Sequence, residues 1–160
     1  MTIQLIHAEQ IYTQKGQIIS GYVKVENGII AEVSTKRPHI DGPYEYLECP
    51  PDKVLAPGFV DTHVHALKGY DTITPDALGL TQMCRNHLPL GVTAFCPTTM
   101  TESVEAINAS LNNVAQVKTA MDKKIAAGTD TGARIVGINL EGPFIDADKK
   151  GAQPESNIQL

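Results

Sequence analysis

Three apolar, β-branched segments alternate with two helical patterns in residues 54–160, and this alternation most constrains the fold. The segments are VLAPGFVDTHVHA, VTAFCPTT and ARIVGINLEGPFI. Each has the nearly continuous apolar character of a strand that is buried on both faces of a parallel sheet. Strand–helix–strand units joined by short loops imply parallel strands and right-handed crossovers. The sequence therefore predicts an α/β fold.

The two segments between these strands carry helix start and stop signals. In the first, Thr74 is predicted to cap the helix, Pro75 to take its first position and Gly91 to end it. The second helix is predicted to be capped by Thr99 or Thr101. Its apolar positions predict a buried stripe made of Val104, Ile107, Leu111, Val114, Met121 and Ile125.

The first fifty residues predict β-structure of a different kind. Short alternating apolar runs flank Asn27-Gly28, a pair that favours a two-residue hairpin turn because both positions require a positive φ. Pro50-Pro51 can continue neither a strand ladder nor a helix, so a boundary is predicted near Lys53. We expect a β-rich domain over residues 1–53 and a βαβαβ portion over residues 54–160.

Composition and charge exclude several classes of protein. With 160 residues, 42% hydrophobic and 19% charged, the chain has the profile of a soluble globular protein. A net charge of -5 is poorly suited to a phosphate backbone, so we expect no nucleic-acid partner. An odd number of cysteines favours reduced thiols and a cytoplasmic location. The amino terminus has no apolar signal region and no segment reaches the length of a membrane span, so we expect no membrane partner.

The sharpest local feature is His63-Val64-His65 at the carboxyl end of the first predicted strand. Side chains at positions i and i+2 of a strand point to one face, so both imidazoles can reach a common point. Divalent metals are bound by such pairs, and functional groups collect where parallel strands end. The plainer alternative is two histidines that pack on a sheet. We expect His7, His39 and His87 to be structural or exposed to solvent.

Glu141, at the end of the third predicted strand, is the second candidate. A carboxylate in an apolar setting is costly to bury without a cation, and a metal beside two histidines would be such a cation. Two histidines and a glutamate make three protein ligands, the number found in catalytic zinc sites with one open position. The alternative is an exposed loop glutamate beside Gly142-Pro143.

Three segments, in this order, resemble signatures of the N-acetylglucosamine-6-phosphate deacetylases, a family of the amidohydrolase superfamily. They are LAPGFVDTHVHALKGYD, GVTAFCPTTMT and VGINLEGPFIDADKKGAQPE, between about Val54 and Glu155. The pattern P-G-F-x-D-x-H-x-H marks only the superfamily, whereas L-E-G-P-F followed by K-K-G-A is more specific to the deacetylases. Three positions depart from the usual pattern: Ala66 where Gly is common, and Asn139 and Gln153 where His is common.

The resemblance implies a (β/α)8 TIM-type barrel, of which this chain holds the first three strands, preceded by part of a small β-sandwich domain. It implies that His63, His65 and Glu141 bind divalent metal and that Ala152 and Gln153 contact an amino-sugar phosphate. Two further histidines and a general-base aspartate are expected from strands beyond Leu160. No catalytic residue is therefore expected within this chain.

The resemblance also implies the reaction, which is hydrolysis of the N-acetyl group of N-acetylglucosamine 6-phosphate, and a homodimer. Mixed nitrogen and oxygen ligands favour zinc, and iron, cobalt or manganese fit the same set, as one ion or two. A β/α barrel needs about 250 residues, so we expect the chain to be the amino-terminal part of a longer enzyme and inactive alone. Two alternatives stay open: another amidohydrolase, such as an amino-acid deacylase or a cyclic amidase, or a non-catalytic half-length protein that binds metal or a partner.

Overall fold

The computed structural model describes residues 2–129 and 132–159. The chain divides into two units, Met1–Pro57 and Gly58–Leu160. The division lies a few residues beyond the domain boundary predicted near Lys53. None of the helices within the described residues combines the length and the apolar character that a membrane crossing requires.

A four-stranded sheet forms the first unit. Its strands are β1 (Ile3–Tyr12), β2 (Ile18–Glu26), β3 (Ile29–Ser34) and β4 (Glu45–Glu48). They lie in the order β3-β2-β1-β4, with β4 parallel to β1 and the other neighbours antiparallel. The predicted hairpin turn is confirmed, because Asn27 and Gly28 join β2 to β3 with φ angles of 51° and 80°. The small buried core of this sheet consists of Ala8, Ile11 and Val23.

A three-stranded parallel sheet and two helices form most of the second unit. In chain order, its elements are β5 (Phe59–Val64), β6 (Ala66–Leu67), β7 (Tyr70–Asp71), α1 (Ala77–His87), β8 (Val92–Pro97), α2 (Val104–Ala126) and β9 (Arg134–Ile135). The main sheet has the order β5-β8-β9, and β6 and β7 form a separate hairpin. Short 3-10 turns lie between α1 and β8, at 88–90, and after β9, at 147–149 and 155–157. The predicted α/β order with parallel strands is confirmed.

Both helices pack on one face of this sheet. Phe95, in β8, is fully buried there, and its ring stacks on His87 with the centroids 4.1 Å apart. The rest of this core comes from both helices and the third strand: Leu80, Met83, Cys84, Val114, Val117, Met121, Ala133 and Ile135. The core fixes the positions of the three strands, and therefore of the loops that follow them.

Two predictions about burial are wrong. The first and third strands are not buried on both faces, since Phe59 is 71% exposed and Val136 is 52% exposed. The helices cover only the face that carries Phe95, which explains the difference. The third strand is also shorter than predicted, with two residues in β9 and an isolated bridge between Thr98 and Asn139. On α2, Val104 is exposed rather than part of the buried stripe.

The predicted helix caps are also wrong. α1 begins two residues later than predicted, because Asp76, not Thr74, accepts a hydrogen bond from the N–H of Leu78 at 2.9 Å. α2 is capped by Ser103, whose hydroxyl accepts from the N–H of Ala106 at 3.2 Å. Thr99 and Thr101 make other contacts. α1 itself ends at His87, before the predicted stop at Gly91; Gly91, with a φ of 77°, ends the 3-10 turn over residues 88–90 that follows the helix.

Candidate metal centre

The carboxyl ends of the parallel strands bring together the three residues predicted as metal ligands. His63 is the penultimate residue of strand β5, and His65 directly follows that strand. Glu141 follows the bridge between Asn139 and Thr98, which extends the third strand alongside β8. Because the strands are parallel, their carboxyl ends meet at one edge of the sheet.

Three donor atoms of these residues form a small triangle. The Nε2 atoms of His63 and His65 are 3.2 Å apart. The Oε2 atom of Glu141 lies 2.9 Å from Nε2 of His63 and 3.4 Å from Nε2 of His65. Ligand atoms arranged tetrahedrally around zinc stand roughly 3.3–3.6 Å apart. The triangle therefore needs to open by only a few tenths of an ångström to fit such an ion.

Neighbouring groups lie close to the Nδ1 atoms of both histidine rings. Nδ1 of His65 lies 3.3 Å from the carbonyl oxygen of Thr98, so an N–H at Nδ1 leaves Nε2 with its lone pair toward the triangle. Nδ2 of Asn139 lies 3.3 Å from Nδ1 of His63 and donates to the carbonyl of Thr62 at 3.2 Å. The two rings are edge-on to each other, with an angle of 84° between their planes.

Thr99 and Gly142 fix the backbone at Glu141. The hydroxyl of Thr99 accepts from the N–H of Glu141 at 3.0 Å and donates to its carbonyl at 3.2 Å. Gly142 has a φ of +67°, and a Cβ atom built there would lie 2.8 Å from the Cα of Thr101. Only glycine fits this position without strain. Thr99 was predicted as a helix cap, and its hydroxyl bonds to the backbone of Glu141 instead.

Gln153 contacts Glu141 directly, a contact that the sequence did not indicate. The residue is 8% exposed. Its Oε1 accepts from the N–H of Thr101 at 2.8 Å, and its Nε2 donates to Oε1 of Glu141. Ala152 is exposed beside it. The predicted sugar contacts of both residues stay predictions.

The remaining histidines have other surroundings. His87 is buried, and its Nδ1 lies 2.7 Å from the carbonyl oxygen of Met83. His39 lies 3.0 Å from Asp41 in an exposed segment. Nδ1 of His7 lies 2.5 Å from Oε1 of Glu48. The hydrogen bond from Tyr46, and to a smaller extent the one with His7, lowers the pKa of Glu48. His63, His65 and Glu141 are the group of potential ligands that converges within 4.8 Å among the described residues.

Comparison with known proteins agrees with the sequence motifs. No protein-family model matches the chain. The chain is 36% identical over 156 residues to an N-acetylglucosamine-6-phosphate deacetylase of Bacillus subtilis, and the alignment covers 97% of this chain and 38% of that enzyme. The chain thus spans well under half the length of this curated relative.

Solved structures give the same grouping. An N-acetylglucosamine-6-phosphate deacetylase of Thermotoga maritima matches with a TM-score of 0.68 and 29% identity, over 97% of this chain and 36% of that one. The enzyme of Pasteurella multocida matches with a TM-score of 0.79 over 98% of this chain and 38% of that one; at 21% identity, this likeness concerns the fold alone. By sequence and by fold, the chain belongs to the N-acetylglucosamine-6-phosphate deacetylase family.

Proposed function

We propose that His63, His65 and Glu141 bind a divalent cation and that this centre is part of the active site of an N-acetylglucosamine-6-phosphate deacetylase. The observation that carries the proposal is the triangle of donor atoms, with sides of 3.2, 2.9 and 3.4 Å. One nitrogen donor from each imidazole and one carboxylate oxygen match a catalytic zinc site with an open position. Zinc is the proposed ion, as one ion or two, and iron, cobalt or manganese suit the same ligands.

The proposed architecture is the first three strands of a (β/α)8 TIM-type barrel after part of a small β-sandwich, with residues 1–53 in the sandwich and 54–160 in the barrel. Three parallel strands with helical crossovers support the barrel, because a barrel of this type repeats that unit. The ligands lie at the carboxyl ends of the strands, where such barrels carry their active sites. We also propose that the longer protein forms homodimers and that it is located in the reducing environment of the cytoplasm.

The proposed reaction is hydrolysis of the N-acetyl amide of N-acetylglucosamine 6-phosphate to glucosamine 6-phosphate and acetate. A bound divalent cation supplies Lewis-acid chemistry, which polarises the acetyl carbonyl and makes water nucleophilic near neutral pH. The chain's own part is to hold the ligand atoms of His65 and Glu141 in place through Thr98 and Thr99. Ala152 and Gln153 are the proposed contacts to the sugar.

The activity can be tested by measuring acetate release together with the intact mass of the native gene product. We expect a product of roughly 40 kDa, as a full barrel with a sandwich requires, that releases acetate from N-acetylglucosamine 6-phosphate. The 160-residue chain alone should be at least about 100-fold slower, because general acid–base catalysis contributes about 10²–10⁴-fold and its group is expected elsewhere.

Two results would contradict this proposal. Preference of the native product for an N-acyl amino acid or a cyclic amide would favour another amidohydrolase. A native product of 17.2 kDa that binds metal and releases no acetate would favour a non-catalytic binding protein.

A further inference from the structure

The side chain of Gln153 links two loops that follow different strands. Its Oε1 accepts from the backbone N–H of Thr101, after β8, at 2.8 Å. Its Nε2 donates to Oε1 of Glu141, after β9. The residue lies 52 positions from Thr101 and 12 positions from Glu141 along the chain. With 8% of its surface exposed, the amide has little freedom to rotate toward water.

The hydrogen-bond partners fix which way the amide points. Thr101 offers a backbone N–H, which can only donate, and an ionised Glu141 offers oxygens, which can only accept. If the amide were rotated by 180°, its nitrogen would face the N–H of Thr101, donor against donor. Its oxygen would face the carboxylate of Glu141, acceptor against acceptor. Burying polar groups in such mismatched pairs is costly. The orientation with Nε2 toward Glu141 is therefore strongly preferred.

This contact divides the two oxygens of Glu141 between two tasks. Oε1 accepts from Gln153, while Oε2 faces both histidine Nε2 atoms at 2.9 and 3.4 Å. A carboxylate bound to a metal through both oxygens would have to share Oε1 between the metal and the Gln153 hydrogen bond. Partners of ligand residues that fix their orientation typically change metal affinity about 10–100-fold when they are removed.

We propose that Gln153 is a positioning residue that holds Glu141 so that it binds the metal through Oε2 alone. The inference rests on the metal site under "Proposed function". An amide nitrogen carries two hydrogens, and one is sufficient for Glu141. The bond to Glu141 therefore does not by itself prevent a second hydrogen bond from the same nitrogen.

The experiment compares Gln153→Met with the matched control Gln116→Met. Methionine is similar in length to glutamine and can fill the same space without an amide, and Gln116 lies on the exposed face of α2. Zinc affinity is measured by competition with a chromophoric chelator, and the visible d–d absorption is recorded with Co²⁺ in place of zinc. Circular dichroism checks the fold of each variant.

We expect Gln153→Met to lower zinc affinity about 10–100-fold and Gln116→Met to leave it unchanged. In Gln153→Met, Co²⁺ absorption should weaken, because a released carboxylate that binds through both oxygens raises the coordination number. Equal affinity and an identical Co²⁺ spectrum in Gln153→Met and the original chain would overturn the inference and leave the metal site standing. Failure of the original chain to bind zinc would overturn the metal site itself and the inference with it.

A second measurement applies even if Gln153→Met does not fold. In the original chain, NMR of the side-chain amide groups should show slow hydrogen exchange for Gln153 and fast exchange for Gln116. The Gln153 amide signal should also shift when zinc is added. If its exchange is as fast as that of Gln116, with and without zinc, the positioning role is wrong.

Discussion

Zinc affinity should fall by more than about 100-fold when Glu141 is replaced by alanine. Removal of a partner that only orients a ligand costs about 10–100-fold, and Glu141→Ala removes the ligand itself, one of the three corners of the donor triangle. The two imidazoles that remain are partly exposed, and two ligands cannot hold the ion as tightly as three. The measurement is chelator competition at fixed pH and salt.

The matched control for this substitution is Glu9→Ala, since Glu9 is an exposed glutamate on β1 in the first unit. We expect its zinc affinity to equal that of the original chain. Glu141→Gln keeps the size of the side chain and removes its charge, and it should also bind zinc much more weakly. Unchanged affinity in both Glu141 variants would mean that zinc binds elsewhere on the chain.

Replacing Phe95 with alanine should lower the free energy of unfolding by about 3–5 kcal/mol. Phe95 has no exposed surface and stacks on His87 at 4.1 Å between the ring centroids. Its removal leaves a cavity beneath the sheet that positions the ligands. Urea denaturation followed by circular dichroism measures the change, and an unchanged slope with urea indicates that the unfolding transition itself is the same.

Phe144→Ala is the control for this loss of an aromatic ring. Phe144 is 70% exposed, so its removal should change the free energy of unfolding by less than about 0.5 kcal/mol. A loss of less than about 1 kcal/mol in Phe95→Ala would show that the core beneath β8 contributes little. The loops that carry His65 and Glu141 would then not depend on this core for their positions.

Local sequence patterns were sufficient to predict that His63, His65 and Glu141 come together at one edge of the sheet. The i, i+2 spacing puts His63 and His65 on one side of β5, and parallel strands bring Glu141 to the same edge. Both conclusions follow from strand geometry, which depends on few distant contacts. For the same reason, the hairpin at Asn27-Gly28 and the strand–helix order were predictable.

The features that were not predicted depend on contacts between distant segments. Thr99 is a good helix cap by residue type, but its hydroxyl bonds to the backbone of Glu141, 42 positions away. Ser103 and Asp76 cap the helices instead. Gln153 reaches Thr101 across 52 positions, and no local pattern marks that contact. The exposed face of β5 likewise depends on which face the helices cover.

X-ray absorption at the zinc edge, on the zinc-loaded chain, tests the central claim most directly because it identifies the ligand atoms. We predict zinc bound by two imidazole nitrogens and by oxygen ligands, all at about 2.0–2.2 Å. Glu141→Ala should reduce the bound zinc while Glu9→Ala leaves the spectrum unchanged. A spectrum dominated by sulfur at about 2.3 Å, or one with fewer than two imidazoles, would contradict a centre built from His63, His65 and Glu141.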